Sequence, residues 1–203
     1  MKQIIESLYA IVYNYFNLIM RGRDFMLSRV RLNLEAVEAM LYYWQAAYEK
    51  DNIAESFFYD VAEMPGLTVA YDDEFNRESV RRALSAIKNR EPFDGTKKEK
   101  KFWNNNMWMM EDLEFTHAMA APLKVLNLDS LASELQDVEN KHNYDEVEVI
   151  FSPLHSDEYI ISGNKLVINF FRIKIDVMNG SATIGDMTII EYIKEKIKEL
   201  LSA

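Results

Sequence analysis

Lys165-Leu166-Val167-Ile168-Asn169-Phe170-Phe171-Arg172-Ile173-Lys174-Ile175-Asp176-Val177 is the stretch on which the fold of this chain turns. Side chains in a strand alternate between two faces, and the odd positions Val167, Phe171, Ile173, Ile175 and Val177 form an apolar face broken only at Asn169. The even positions Leu166, Ile168 and Phe170 are apolar as well, before Arg172, Lys174 and Asp176 turn polar. The first half of this strand is therefore expected to be buried on both faces. One face suits a helix at the end of the chain. The other needs a cover, and only the helical part before it is large enough. The expectation is one integrated α+β unit over 1–203. About five helices over 1–143 form a bundle-like part, packed on a small antiparallel β-meander with a terminal helix over 144–203.

Around that stretch the meander is built from alternation and turn signals. Val147, Val149 and Phe151 alternate with Glu146 and Glu148, a strand follows at 159–161, and Ser162-Gly163-Asn164 separates it from Lys165. Asn179-Gly180 is a hairpin signal, because both residues tolerate positive φ. A short strand at 182–184 leads to Thr188-Ile189-Ile190-Glu191. This matches a capping box that opens a helix over 188–201.

Upstream the period changes to that of a helix. Ile4, Ile5, Leu8, Ile11, Val12, Tyr15, Phe16 and Ile19 share one helical face. Gly22 and Asp24 suit a break and a cap, and Leu27, Val30, Leu34, Val37, Leu41, Trp44 and Tyr48 predict a second helix paired with the first as an antiparallel hairpin. A further helical segment over 53–62 ends at Pro65-Gly66, and 66–73 reads as a loop. Asn76 or an earlier aspartate caps a helix bearing Val80, Ala83, Leu84 and Ile87. Thr96-Lys97-Lys98-Glu99 is a second capping box and opens a long helix over 97–121, and another helix is expected over 130–142.

Composition bounds the function. The absence of cysteine excludes disulfides, thiolate metal sites and cysteine nucleophiles. Glu6, Asn14 and Asn17 interrupt the first apolar run and no run reaches a membrane-spanning length, so neither a secretory leader nor a membrane span is expected and a cytoplasmic location follows. A formal net charge of −10 disfavours nucleic acid and suits a basic partner.

Two of the three histidines lie three residues after a glutamate, as Glu114-Phe115-Thr116-His117 and Glu139-Asn140-Lys141-His142. On a helix this spacing puts both side chains on one face. The motif resembles that of carboxylate-bridged di-iron and di-manganese bundles, and it implies a divalent or iron-type metal held by Glu114, His117, Glu139 and His142. The polar neighbours Asn140, Lys141 and Asn143 suit a solvated helix end instead. Arg21, Arg23, Arg29 and Arg31 form a basic cluster that could hold an anion, but residues two apart on a helix diverge, so surface charge is the simpler reading. Phe102, Trp103, Met107, Trp108, Met109 and Met110 suit a core or an adaptable contact surface, and Asn104 to Asn106 suit a bend or a polar contact inside that helix. No Gly-rich phosphate loop, Gly-x-Ser-x-Gly or His-Glu-x-x-His occurs. The favoured expectation is a non-catalytic interaction or regulatory module without a cofactor, bound to a protein partner or to a second copy of itself. The alternative is the metal-binding helical protein.

Overall fold

The computed structural model describes residues 26–155, 157–176, 178 and 180–203. The helix expected at 4–19, with Arg21, Gly22, Arg23 and Asp24, lies outside them.

Four strands, β1 (Arg29–Asn33), β2 (Glu146–Ser152), β3 (Tyr159–Ser162) and β4 (Lys165–Asn169), form a sheet in the order β1-β2-β4-β3. The central strand β2 runs parallel to both neighbours, and only β3 is antiparallel to β4. This corrects two expectations. The first sheet is mixed rather than a meander, and residues 29–33 are a strand rather than the start of a helix. The spacing of Leu27, Val30 and Leu34 fits a helix, but period two places Arg29 and Arg31 on one face, where β2 supplies charge partners. Arg29 lies 3.5 Å from Glu146, and Arg31 lies 3.3 Å from Glu146 and 2.8 Å from Glu148. Val30 and Leu32 pair with Val147 and Val149 on the opposite face.

The long strand expected over 165–177 is also broken. Asn169 ends β4, residues Phe170–Arg172 make a 3₁₀ turn, and β5 (Ile173–Ile175) enters a second, antiparallel sheet with β6 (Ala182–Ile184) and β7 (Met187–Thr188). The Asn169 carboxamide imposes the turn. Its oxygen accepts from the Phe171 and Leu154 N–H groups at 3.1 and 3.3 Å, and its nitrogen donates to the Asp157 carbonyl at 2.8 Å. The hairpin expected around Gly180 joins β5 to β6, with Gly180 at φ +70°.

Helices fill most of the interval between β1 and β2: α1 (Glu35–Glu49), α2 (Glu55–Ala62), α3 (Pro65–Thr68), α4 (Arg77–Lys88), α5 (Lys97–Glu111), α6 (Leu113–Lys124) and α7 (Leu131–Glu134). The chain closes with α8 (Ile189–Ser202). The capping boxes at Thr96 and Thr188 form as their sequences imply, and Asn76 caps α4. Three boundaries differ from expectation. Pro65, at the first position of α3, starts a single helical turn where a loop was expected. The helix over 97–121 is two helices, because the Asp112 side chain caps α6 by accepting from the Phe115 N–H at 3.0 Å. The helix over 130–142 stops at Glu134.

The main core joins the sheet face bearing Val147, Val149, Phe151, Leu166 and Ile168 to α1 and α8 together. The terminal helix thus shares a face with the preceding helices instead of covering the opposite one. That opposite face carries Ile150 and Val167, packed with Ala70 and Leu154 in a separate small cluster. There α3 approaches so closely that a Cβ on Gly66 would lie 2.9 Å from both Cβ and Oγ of Ser152 and 3.1 Å from Ile150. Gly66→Ala is therefore expected to destabilise the fold by about 1–3 kcal/mol, measurable as a lowered urea midpoint, since the Ser152 and Ile150 side chains, held on a packed strand, leave the methyl no room.

Candidate functional site

A cleft of about 640 Å³ opens between α8, the β6–β7 turn and the start of β3. Its local chemistry follows from the helix period. In α8 the residues Ile193, Ile197, Leu200 and Leu201 face the core, while Tyr192, Lys196 and Glu199, spaced at i, i+4 and i+7, line its margin. Tyr159 on β3 meets them. Its hydroxyl lies 2.7 and 2.9 Å from the two Glu199 carboxylate oxygens, and Lys196 Nζ is 3.1 Å from Glu199. The same ammonium lies 4.2 Å from the Tyr159 ring centroid and 5.8 Å from that of Tyr192, whose ring stands edge-on to Tyr159. A cation thus already rests against the aromatic wall.

The ionisation states are held away from neutrality. Burial, and then the Glu158 carboxylate, push the Tyr192 hydroxyl far up, so it is a neutral donor, and it is buried with no hydrogen-bond partner in good geometry. Burial opposes the charge of Lys196, but Tyr159 and Glu199 outweigh it and raise its pKa. The Tyr159 hydroxyl, followed by Lys196, lowers that of Glu199. A general acid or base works best with a pKa near the ambient pH, and these three groups are shifted away from it.

The rim is acidic. Glu158, Asp186, Glu195 and Glu199 face only Lys196 and Lys198, and both lysines are engaged, by Glu199 at 3.1 Å and Glu195 at 2.6 Å. Glu158 and Asp186 are left without an ion pair among the described residues.

The residues singled out from the sequence lie elsewhere. Glu114 and His117 are exposed, one turn apart on α6. Glu139 and His142 are exposed too but lie on no helix. Asn140 folds the chain back by pairing with both main-chain groups of Tyr144, at 3.1 and 2.8 Å, and the Lys141 N–H donates to the Leu201 carbonyl of α8 at 3.0 Å. The shared helical face on which the four-ligand reading rested exists for the first pair alone. Among the described residues no group of three or more His, Asp or Glu is arranged to hold a metal ion. Arg29 and Arg31 share a face after all, because they lie on a strand, but their charges are taken up by Glu146 and Glu148. In α5, Phe102 and Met110 are core residues, whereas Trp108 is 65% exposed. Asn106 makes the polar contact anticipated for its run, accepting from the Trp44 indole N–H at 3.1 Å.

The third histidine carried no motif, yet it is the buried one. His155 is 4% exposed, its ring centroid is 4.3 Å from that of Phe75, and its Nδ1 has no partner. Burial, and then Lys98, lower its pKa against the opposing pull of Asp72 and Asp157. An unfolded histidine takes up a proton near 6.5 and the folded one only at lower pH. The unfolded state therefore binds more protons as pH falls below that value, and stability falls with it. His155→Phe is expected to remove this part of the slope, checked by comparing urea midpoints at about pH 7 and about pH 5.

Tyr159, Tyr192, Lys196 and Glu199 were missed as a group. The one signal within reach was the i, i+4, i+7 stripe on the last helix, in which Tyr192 reads as an ordinary core position. Compared with protein-family models, with curated proteins and with solved structures, the chain matches none, so its functional reading rests on its own residues.

Proposed function

We propose that this chain is a non-catalytic protein-interaction module that takes a basic segment of a partner protein into the cleft beside α8. The observation that carries the reading is the excess of carboxylates lining the cleft, of which Glu158 and Asp186 have no ion pair among the described residues. Glu158 and Asp186 offer charge to a lysine or arginine. The position of Lys196 over Tyr159 is an internal example of the contact a partner's cation would make. The net charge of −10 favours the encounter by attracting basic partners at low ionic strength.

The test is titration of a labelled lysine-rich peptide, followed by fluorescence anisotropy, against the wild type and the Glu158→Gln/Asp186→Asn double variant. Saturable binding that weakens about tenfold in the variant and falls further with added salt is the expected result. Equal affinity for both proteins would sink the reading.

A further inference from the structure

Resting on that reading, we infer that the partner's basic segment is held as an added β-strand along the outer edge of β3. Among the described residues the first sheet ends in β1 on one side and β3 on the other. Native sheets guard exposed edges with charged side chains, proline or bulges, because the outward N–H and C=O groups are a template for another strand. β1 is guarded in this way by Arg29 and Arg31. β3, with the sequence Tyr159-Ile160-Ile161-Ser162, carries no charge and no proline, and none of its residues is buried.

Its outward groups can be identified. The Asn169 N–H donates to the Glu158 carbonyl at 2.9 Å, and Ile160 and Ser162 are set opposite Val167 and Lys165. Alternate residues of an antiparallel ladder face the partner strand, so Glu158, Ile160 and Ser162 face β4. The N–H and C=O groups of Tyr159 and Ile161 therefore point away from the sheet, and they have no main-chain partner among the described residues.

The neighbourhood also specifies the side chains. Tyr159 and Ile161 stand on the face covered by α8, where Glu199 is bonded to the Tyr159 hydroxyl. Alternate side chains of an added strand would emerge on that face beside Tyr159 and the Lys196–Glu199 pair, and the carboxylates without an ion pair, Glu158 and Asp186, favour lysine or arginine where the edge meets the cleft. The intervening ones would emerge beside Ile160, next to the apolar cluster of Ile150, Val167 and Ala70. The occupant is an extended segment of alternating basic and apolar residues, with one end running into the cleft at Glu158.

Three peptides test this: an acetylated strand of about eight residues alternating lysine and valine, the same peptide N-methylated at every lysine, and the same peptide N-methylated at every valine. Only one edge of the peptide faces β3. One methylation pattern should therefore weaken binding about tenfold, the equivalent of losing two main-chain hydrogen bonds, and the other should leave it unchanged. Ile161→Pro provides the reciprocal arm, because it removes an outward N–H that the ladder to β4 does not use, and it should weaken the unmodified peptide by a similar factor. If both methylated peptides bind as tightly as the parent while the Glu158→Gln/Asp186→Asn protein loses binding, strand addition is overturned and the acidic cleft stands. If the unmodified peptide does not bind at all, both fall.

Discussion

Trp44→Ala is expected to lower the free energy of unfolding by about 4 kcal/mol. Trp44 is fully buried on α1, and its ring stacks on Phe170 with centroids 5.7 Å apart and planes 25° from parallel. It is the contact through which the first long helix grips the turn that ends β4. Truncation opens a cavity beside Phe170 and also leaves Asn106 Oδ1 without its donor in a fully buried setting. Trp44→Phe separates the two effects. It keeps most of the ring and loses the indole N–H, so a loss of about 1–2 kcal/mol is expected, in line with one orphaned buried acceptor. Urea denaturation of the two variants beside the wild type measures both.

The second large effect is expected at Asn169, where alanine should cost about 3 kcal/mol. The Asn169 side chain is buried and satisfies the Leu154 and Phe171 N–H groups and the Asp157 carbonyl. The buried Leu154 N–H and two partly buried main-chain groups, the Phe171 N–H and the Asp157 carbonyl, would lose their partner together. Asn169→Asp keeps the two acceptor contacts but sets a charge against the Asp157 carbonyl, so it should also destabilise, by less than alanine. Because the Asn169 side chain also anchors the Asp157 carbonyl next to Glu158, the alanine variant should loosen the mouth of the cleft. The check is a drop in peptide affinity at a temperature where the variant is still folded.

Asn169 also marks the limit of what patterning can reveal. Residues 165–177 alternate as one strand would, and the first half, Leu166 to Asn169, is buried on both faces as expected. The decision to bend lies in a single carboxamide and in partners near position 155 that no local pattern displays. The starts of α4, α5 and α8 were legible because an N-cap involves only residues three apart, as at Thr96 with Glu99 and Thr188 with Glu191. The mixture of helix and sheet was legible too, from the change of period near Val147. β1 was not, because its helical spacing is genuine and the ion pairs that make it a strand come from Glu146 and Glu148, more than a hundred residues later. The cleft was invisible for a similar reason. Tyr159 and Lys196 look like ordinary edge and surface residues until α8 folds across β3. The Glu139-to-His142 spacing looked meaningful only on the assumption of a helix, and the side chain of Asn140 removes that assumption.

The central claim is that a basic segment binds at the junction of β3, α8 and the β6–β7 turn. The most direct measurement is a titration of isotope-labelled protein with the alternating lysine–valine peptide, followed residue by residue through amide chemical shifts. The account predicts that the largest shifts fall on Tyr159, Ile161, Gly185, Asp186, Lys196 and Glu199, saturating together. Saturating shifts centred instead on the exposed corner of α5 and α6 around Trp108 and Phe115, with the β3 and α8 amides unmoved, would contradict it.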